Sequence, residues 1–490
     1  MTGAPDARAA RTAPAFEPVV GLEVHVQLAT RTKLFCGDAV EFGAAPNTHV
    51  CPVCLGLPGA LPVINAHAIE LAVRAALGLH CTVHAVSVFA RKNYFYPDLP
   101  KGYQITQFEQ PLATAGRVES GDGAGGTRSV RLRRIHVEED AGKSLHDRIP
   151  GETAIDLNRA GTPLIEIVTE PDIVSPAHAR AFLTRLKQIL SYLEVSDCDM
   201  EKGSLRVDAN VSVRPAGEER LGTKTELKNM NSFSNVERAI AWEVGRQTAL
   251  LARDGSVTHE TLLWDAHRSE ARPMRSKEQS HDYRYFPDPD LPPLVLSAAL
   301  IERARSALPE PPAAREARLQ RTLGIPAYDA AVLCATRETA DYFEALAAEA
   351  GDAKAASNWV MTDVLGWLNE RQLEFRAFPV PPARLGELIR LVHAGTLSSS
   401  LGRRVFLRMI ETGEPAGAIV SAEGLAQVRD EEQIARWVEE VVQAFPDEVA
   451  RLSAGEEKLL AFLMGQIMKR SRGKADPRRA TELLRTRAGA

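Results

Sequence analysis

Three short segments place acids, histidines and a lysine where a plain core has no use for them. They are Gly21–Leu28 (GLEVHVQL), Ile135–Ser144 (IHVEEDAGKS) and Gly161–Asp172 (GTPLIEIVTEPD). In the first, Leu22, Val24, Val26 and Leu28 alternate with Glu23, His25 and Gln27, the period-two pattern of a half-buried strand with Glu23 and His25 on its polar face. The second runs Glu138, Glu139, Asp140 and reaches Lys143 shortly after. The third sets Glu166 among Leu164, Ile165, Ile167 and Val168, where a carboxylate is costly to bury unless it is paired, protonated or bound to a cation. Together the segments predict a metal and phosphate site built on a sheet, and so an enzyme.

Such a site needs a scaffold, and the pattern supplies one. Helices are predicted at Glu70–Leu79 and at Pro176–Leu193, the latter amphipathic and opening near Ser175. A third, Val236–Ala252, takes Ser234 as N-cap and Gly255 as terminator. Leu205–Pro215 reads as a strand with Leu205, Val207, Ala209, Val211 and Val213 on one face and Arg206, Asp208, Asn210, Ser212 and Arg214 on the other. After a polar turn, Lys224, Glu226 and Lys228 share a face, which predicts an antiparallel hairpin with a densely charged surface. A solvated sheet face explains that spacing equally well. The proline-rich runs Phe286–Leu294 and Phe378–Pro382 are candidate boundaries, and beyond the first the composition turns to Ala, Leu, Glu and Arg with helical patterning. The class is therefore α+β.

At 490 residues the chain calls for two to four domains. A net charge of -5 gives no global signature of nucleic-acid binding, though the run Met468–Arg479 is locally basic and could meet phosphates. No apolar run approaches the roughly 20 residues that span a bilayer, so a membrane protein is not expected. Met1–Ala15 lacks an apolar signal segment and reads as a disordered tail; a transit peptide is disfavoured by Asp6. Six cysteines in a chain this long make no disulfide scaffold, which fits a reducing, cytoplasmic setting.

Two glycine patterns mislead. Gly121, Gly123 and Gly126 match a dinucleotide fingerprint formally, but they lie between strand-like runs and read as a hairpin loop. Ala141–Ser144 imitates the end of a Walker loop, yet Val137 occupies the required earlier glycine position. Cys51 and Cys54 have zinc-knuckle spacing, Cys36 could add a third thiolate, and Asp38 or His49 a fourth ligand. In Arg91–Pro111, Lys92 and Lys101 interleave with Tyr94, Tyr96 and Tyr103, a pattern that can stack on bases or grip phosphates. Tyrosines packed into a rigid proline-turn loop are the plainer reading.

From about Val19 to its end the chain resembles the GatB family, the B subunits of aspartyl/glutamyl-tRNA amidotransferase (GatCAB) complexes. The motifs that carry the resemblance are GLEVHVQL, RKNYFYPDLPKGYQI, HVEEDAGKS, DLNRAGTPLIEIVTEPD, GSLRVDANVSVRP, TELKNMNSF and DYRYFPDPD. The resemblance implies a cradle domain over residues 16–293 with a mainly antiparallel sheet and flanking helices. A helical linker domain (294–393) and a helical tRNA-binding tail (394–490) would follow, after the N-terminal tail 1–15. It implies an ATP-dependent carbon–nitrogen ligase with glutamine as amide donor, which phosphorylates the side-chain carboxylate of Glu-tRNA(Gln) or Asp-tRNA(Asn) and amidates it with ammonia. The alternative is a non-catalytic tRNA-binding scaffold. A partner glutaminase (the A subunit) and a small C subunit are implied, since the only amidase-like stretch, Ser398–Gly402, is a superficial echo. Carried over to this chain, the magnesium ligands are His25, Glu139 and Glu166, with Glu23, Glu138 and Asp140 as further candidates and manganese as a substitute. Lys143 joins the catalytic set, and Arg159, Arg206, Lys228, Lys92 and Tyr94 are expected to contact ATP or the aminoacyl group. Zinc-bearing members carry Cys-Gly-Cys where this chain has Cys36-Gly37-Asp38, so a zinc site here would use Cys36, Asp38, Cys51 and Cys54. Its role would be structural and remote from catalysis.

Overall fold

The structure is a computed structural model and describes residues 16–274, 283–426, 431–471 and 473–489. The expected tail Met1–Ala15 and Arg472 of the basic run lie outside them. The chain divides into two compact units, Met1–Pro311 and Pro312–Ala490.

The first unit opens with β1 (Phe16–Gln27), in which residues from Val20 to Gln27 alternate between buried and half-buried. Helix α1 (Ala66–Gly78) follows, then the short strands β2 (Thr82–Val83), β3 (Val86–Ser87) and β4 (Phe89–Asn93). Next come β5 (Tyr103–Gln107), the hairpin β6 (Ala113–Gly121) and β7 (Thr127–Glu139), the hairpin β8 (Lys143–Ile149) and β9 (Glu152–Asp156), and β10 (Pro163–Thr169). Helix α2 (Pro176–Tyr192) leads to β11 (Leu205–Pro215) and β12 (Thr225–Lys228), and α3 (Phe233–Leu251) to β13 (Thr261–Asp265) and β14 (Glu270–Pro273). Two short strands, β15 (Phe286–Pro287) and β16 (Leu294–Val295), and helix α4 (Ala298–Ser306) complete it.

Nine strands form one sheet in the order β14-β13-β12-β11-β1-β10-β7-β6-β2, with β1 at its centre. All pairs are antiparallel except β12 with β13, and α3 supplies the crossover that a parallel pair requires. The glycine-rich run falls in the β6–β7 hairpin turn, and β11–β12 is the antiparallel pair the alternation predicted. One face is apolar: Leu22, Val24, Val26, Ile165, Ile167, Ile135, Val137, Val207 and Val211 pack against Ala72 of α1, Phe182 and Leu186 of α2, and Val236 and Ile240 of α3. Each such buried side chain contributes roughly 1.5–3 kcal/mol. A one-residue slip would turn this set outward, so burial fixes the register.

The helix starts follow capping chemistry. Ser175 Oγ accepts from His178 N at 3.0 Å, as expected. α1 begins earlier than its pattern suggested because Asn65 caps it, accepting from His67 and Ala68. For α3 the cap is Ser232, not Ser234: Ser232 is extended and accepts from Asn235 N, which leaves Ser234 inside the first turn. Past the proline-rich run, Leu300, Ile301 and Ala304 of α4 pack on the first unit's core.

The second unit is helical. Helix Arg337–Ala350 packs on helix Pro382–His393, where Gly386 permits close approach: an added Cβ would lie 2.7 Å from Glu349 Cβ. Phe343, Leu346, Leu385 and Leu388 are buried in one cluster, and Ile434, Val438, Leu463 and Leu484 in another. Among the described residues, no helix is long and apolar enough to cross a membrane.

Candidate active site on the polar face of the sheet

The register of four central strands sets Arg206, His25, Glu166 and His136 side by side in one row. Two residues along β7, Glu138 joins them on the same face. His25 Nε2 lies 3.3 Å from Glu166 Oε2 and 3.7 Å from Glu138 Oε1. His136 Nε2 lies 3.2 Å from Glu166 Oε2 and 3.5 Å from Glu138 Oε2. One ligand atom each from His25, Glu138 and Glu166 falls within 4.8 Å of the others.

Of the three expected magnesium ligands, the structure brings His25 and Glu166 together and puts Glu138, not Glu139, beside them. Successive side chains of a strand point to opposite faces, so only one of the two glutamates can reach the row. Glu139 turns away, accepts from Ile105 N at 3.0 Å and pairs with Lys101. There it lines a cavity of about 230 Å³ with Arg91, Lys101, Cys36 and Cys54. His136 is the member that sequence reading missed. Its signal was its place in the strand, two residues before Glu138 and so on the same face.

The electrostatics are those of a cation site. Burial alone would raise the carboxyls of Glu138 and Glu166, but the neighbouring imidazoles hold both below their usual range, Glu166 well below. Conversely, burial would lower His136, yet Glu166 and Glu138 lift it to about 9. Burial opposes a rise in His25 too, and Glu166 and Glu138 again prevail. Two buried carboxylates thus call for two positive charges, which a pair of imidazoliums or one divalent cation can provide. His136 Nδ1 is buried without a hydrogen-bond partner, a further mark of a site whose polar groups are not all satisfied by protein. The donor set, carboxylate oxygens with imidazole nitrogen, fits magnesium or manganese.

Around this centre the other candidates form three groups. Glu23 receives Asn210 Nδ2 at 3.1 Å and is raised by burial and then by Glu166, Glu226 and Asp208. Lys228 binds Asp208 at 2.6 Å and Glu226 at 3.0 Å. Asp140 accepts from Arg206 at 2.9 Å and Gln27 at 2.8 Å and has Arg159 at 3.6 Å; burial would raise it, but the two arginines bring it down. Beyond it, Lys143, Arg159, Lys202 and Asn158 line a cavity of about 300 Å³ that also reaches Gln27. On another side Lys92 lies 4.8 Å from the Tyr283 ring centroid and 5.8 Å from that of Tyr94. Burial would lower Lys92, but Glu138, Tyr285 and Glu166 raise it. Thr106 of β5 donates to Glu138 Oε2 at 2.9 Å and fixes that carboxylate. Tyr283 and Tyr285 were not singled out from sequence.

The cysteine residues converge as their spacing suggested. Cys36, Asp38, Cys51 and Cys54 offer ligand atoms within 4.8 Å of one another, whereas His49 turns towards Glu41. Cys54 is brought down to about 6, chiefly by the Cys36 hydrogen bond. Cys36 and Cys54 share a cavity with Glu139, which turns away from the row of His25, Glu138 and Glu166.

A charged antiparallel sheet followed by helices is the class that family comparison recognises. The profile of the GatB/GatE catalytic domain matches residues 18–302, and that of the GatB domain matches 341–487. The B subunit of aspartyl/glutamyl-tRNA(Asn/Gln) amidotransferase from Chlorobium phaeobacteroides (strain BS1) is 53% identical over 470 residues, covering 96% of this chain and 98% of the relative. The protein of the same name from Persephonella marina is 49% identical over 470 residues, with the same coverage. The chain belongs to the GatB family, the B subunits of aspartyl/glutamyl-tRNA(Asn/Gln) amidotransferases.

Proposed function

We propose that this chain carries the amide-forming site of a tRNA-dependent amidotransferase acting on Glu-tRNA(Gln), Asp-tRNA(Asn) or both, in a cytoplasmic complex with a glutaminase A subunit and a small C subunit. The γ-phosphoryl group of ATP would pass to the side-chain carboxylate with loss of ADP. Ammonia from the glutaminase would then attack the acyl carbon and expel phosphate, leaving the amide. The observation that carries the reading is the convergence of His25, Glu138 and Glu166, backed by His136, on one face of the sheet.

A divalent ion held by His25, Glu138 and Glu166 would neutralise phosphate charge, which is most of what phosphoryl transfer asks of a protein. Thr106 holds Glu138 in place for it. Lys143, Arg159 and Lys202 face a shared cavity and would take polyphosphate oxygens. Arg206, fixed by Asp140, and Lys92, on which Glu138 and Glu166 act, would orient the anionic substrate. Lys228, bound to Asp208 and Glu226, and Tyr94, bound to Gln104, would shape the pocket. Cys36, Asp38, Cys51 and Cys54 form a three-sulfur, one-oxygen set that fits zinc. We assign residues 16–293, completed by β16 and α4, to the cradle, the helices within 312–393 to a linker and 394–490 to tRNA binding. In that tail, glutamates already bind Arg470 and Arg479, while Lys469, Lys474 and Arg478 have no carboxylate partner among the described residues.

The test is reconstitution with the A and C subunits and assay of both mischarged tRNAs with ammonium chloride as nitrogen source. Glu138→Gln is expected to abolish amidation while the partner's glutaminase activity survives. Full ammonium-driven activity in that variant would refute the reading. Loss of function on deleting residues 394–490, with ATP–magnesium binding never detectable in the remainder, would favour the scaffold alternative.

A further inference from the structure

Lys33 is fully buried. Its ammonium donates to His49 O at 2.7 Å and lies 3.5 Å from both Leu157 O and Cys54 Sγ. No carboxylate among the described residues pairs with it. Lysine is almost never buried so completely without a counter-ion, because its charge loses water and gains only carbonyl dipoles. The missing anion is close at hand. Three thiolates and one carboxylate around a divalent ion sum to two excess negative charges, and one of the sulfurs is the atom Lys33 touches.

We infer that Lys33 is the outer-sphere cation of the Cys36–Asp38–Cys51–Cys54 metal centre, its N–H drawing on the Cys54 sulfur and offsetting one excess charge. The inference rests on the zinc reading above. It gives the aspartate ligand a partner: a centre with four charged ligands needs compensation that neutral histidine ligands would make unnecessary. Lys33 also joins the centre to the turn that carries Arg159. Lys33 N donates to Asp38 O at 3.0 Å, and Leu34 N to Gly161 O at 2.8 Å. Gly161 adopts φ +89°, and a Cβ there would sit 3.3 Å from Lys33 Cδ and 3.5 Å from Cys54 Cβ. His49, whose carbonyl takes the ammonium, is itself held by Asn158 Oδ1 at 2.9 Å. The lysine is thus a positioning residue for the metal and a strut between the metal loop and residues 157–161.

The experiment uses the full chain loaded with Zn²⁺ or Co²⁺, with and without Lys33→Met, which keeps the volume of the stem and removes the charge. Competition against a chromophoric chelator is expected to show metal affinity about 10–100-fold weaker in the variant. The sulfur-to-cobalt charge-transfer band should move to longer wavelength, since the Cys54 sulfur no longer shares density with an N–H. A lysine that only ties carbonyls together would lower thermal stability and leave band and affinity unchanged, and that outcome overturns the proposal. Should the methionine variant not fold, Lys33→Gln carries the same two readouts, and unchanged values there are equally fatal. A wild-type chain that takes up neither metal refutes the zinc reading and this inference together; a wild type that binds, with unaltered variants, sinks only the role of Lys33.

Discussion

On the sheet, Glu138 and Glu166 share the same two imidazoles, and both carboxylates and His136 are buried. In the helical unit, Glu344 is partly open to water and takes Arg315 at 2.7 Å and Arg318 at 2.8 Å, two permanent cations for one acid. The helical arrangement is complete by itself: charges meet in pairs at the rim of a hydrocarbon core, and removing them would cost little. The sheet arrangement is incomplete. It gathers like charges away from water, satisfies them with protonated histidine and leaves His136 Nδ1 without a partner. Folding alone does not reward such a cluster. The contrast teaches where to look for chemistry: charge that a structure pairs off is scaffolding, and charge that it concentrates awaits a ligand.

That contrast can be broken most severely by Glu166→Gln. In the reconstituted complex it should lower ammonium-driven amidation on the order of a thousandfold, since a lost metal contact removes several kcal/mol of charge stabilisation and each tenfold is about 1.4 kcal/mol. Its melting temperature should fall as well, because the two imidazoles that hold Glu166 well below its usual range lose that counter-charge. A fall in melting temperature with activity kept would reverse the assignment. Phe343→Ala is the opposite experiment. It empties a fully buried site in the helical unit and should cost that unit about 3–5 kcal/mol in denaturant unfolding. Magnesium or manganese affinity should be unchanged, and a parallel loss of both would show that the two regions are not separable. His136→Gln comes next. It keeps a hydrogen-bond donor but not the imidazole, and manganese affinity measured by electron paramagnetic resonance should weaken about 10–100-fold.

How much of this was legible beforehand depends on range. Alternation in Gly21–Leu28 and Leu205–Pro215 gave the faces of β1 and β11, because a period of two is a local property. The cap Ser175 and the β11–β12 hairpin were local too. Ser232 against Ser234 was undecidable from spacing, as two serines offered the same chemistry and only the backbone turn separates them. The choice between Glu138 and Glu139 was of another kind. Residue type could not decide it; the pairing of β7 with β10, set Glu166 to His136, decides it. Lys33 was invisible for the same reason, since His49 and Cys54 lie well along its own long β1–α1 loop and Leu157 comes from the β9–β10 loop. Arg159 and Lys143 were named from their segments, but their shared cavity with Lys202 needed the fold.

The smallest expected effect lies on the paired side. Hydrogen bonds from Arg318 and Arg315 hold Glu344 below its ordinary value, against burial. A carboxyl lowered by folding stabilises the native state at any pH above its unfolded value of about 4.3 and loses that contribution as pH falls through its folded value. Glu344→Gln should therefore cost about 1 kcal/mol at pH 7, the modest worth of a half-exposed ion pair. The difference between variant and parent should shrink below about pH 4 and also at high salt, where screening weakens the pair. Urea unfolding at about pH 7 and about pH 3.5 measures it. A cost that stays constant across that range would mean that Glu344 acts by packing, and the line drawn here between paired and concentrated charge would need another member on the helical side.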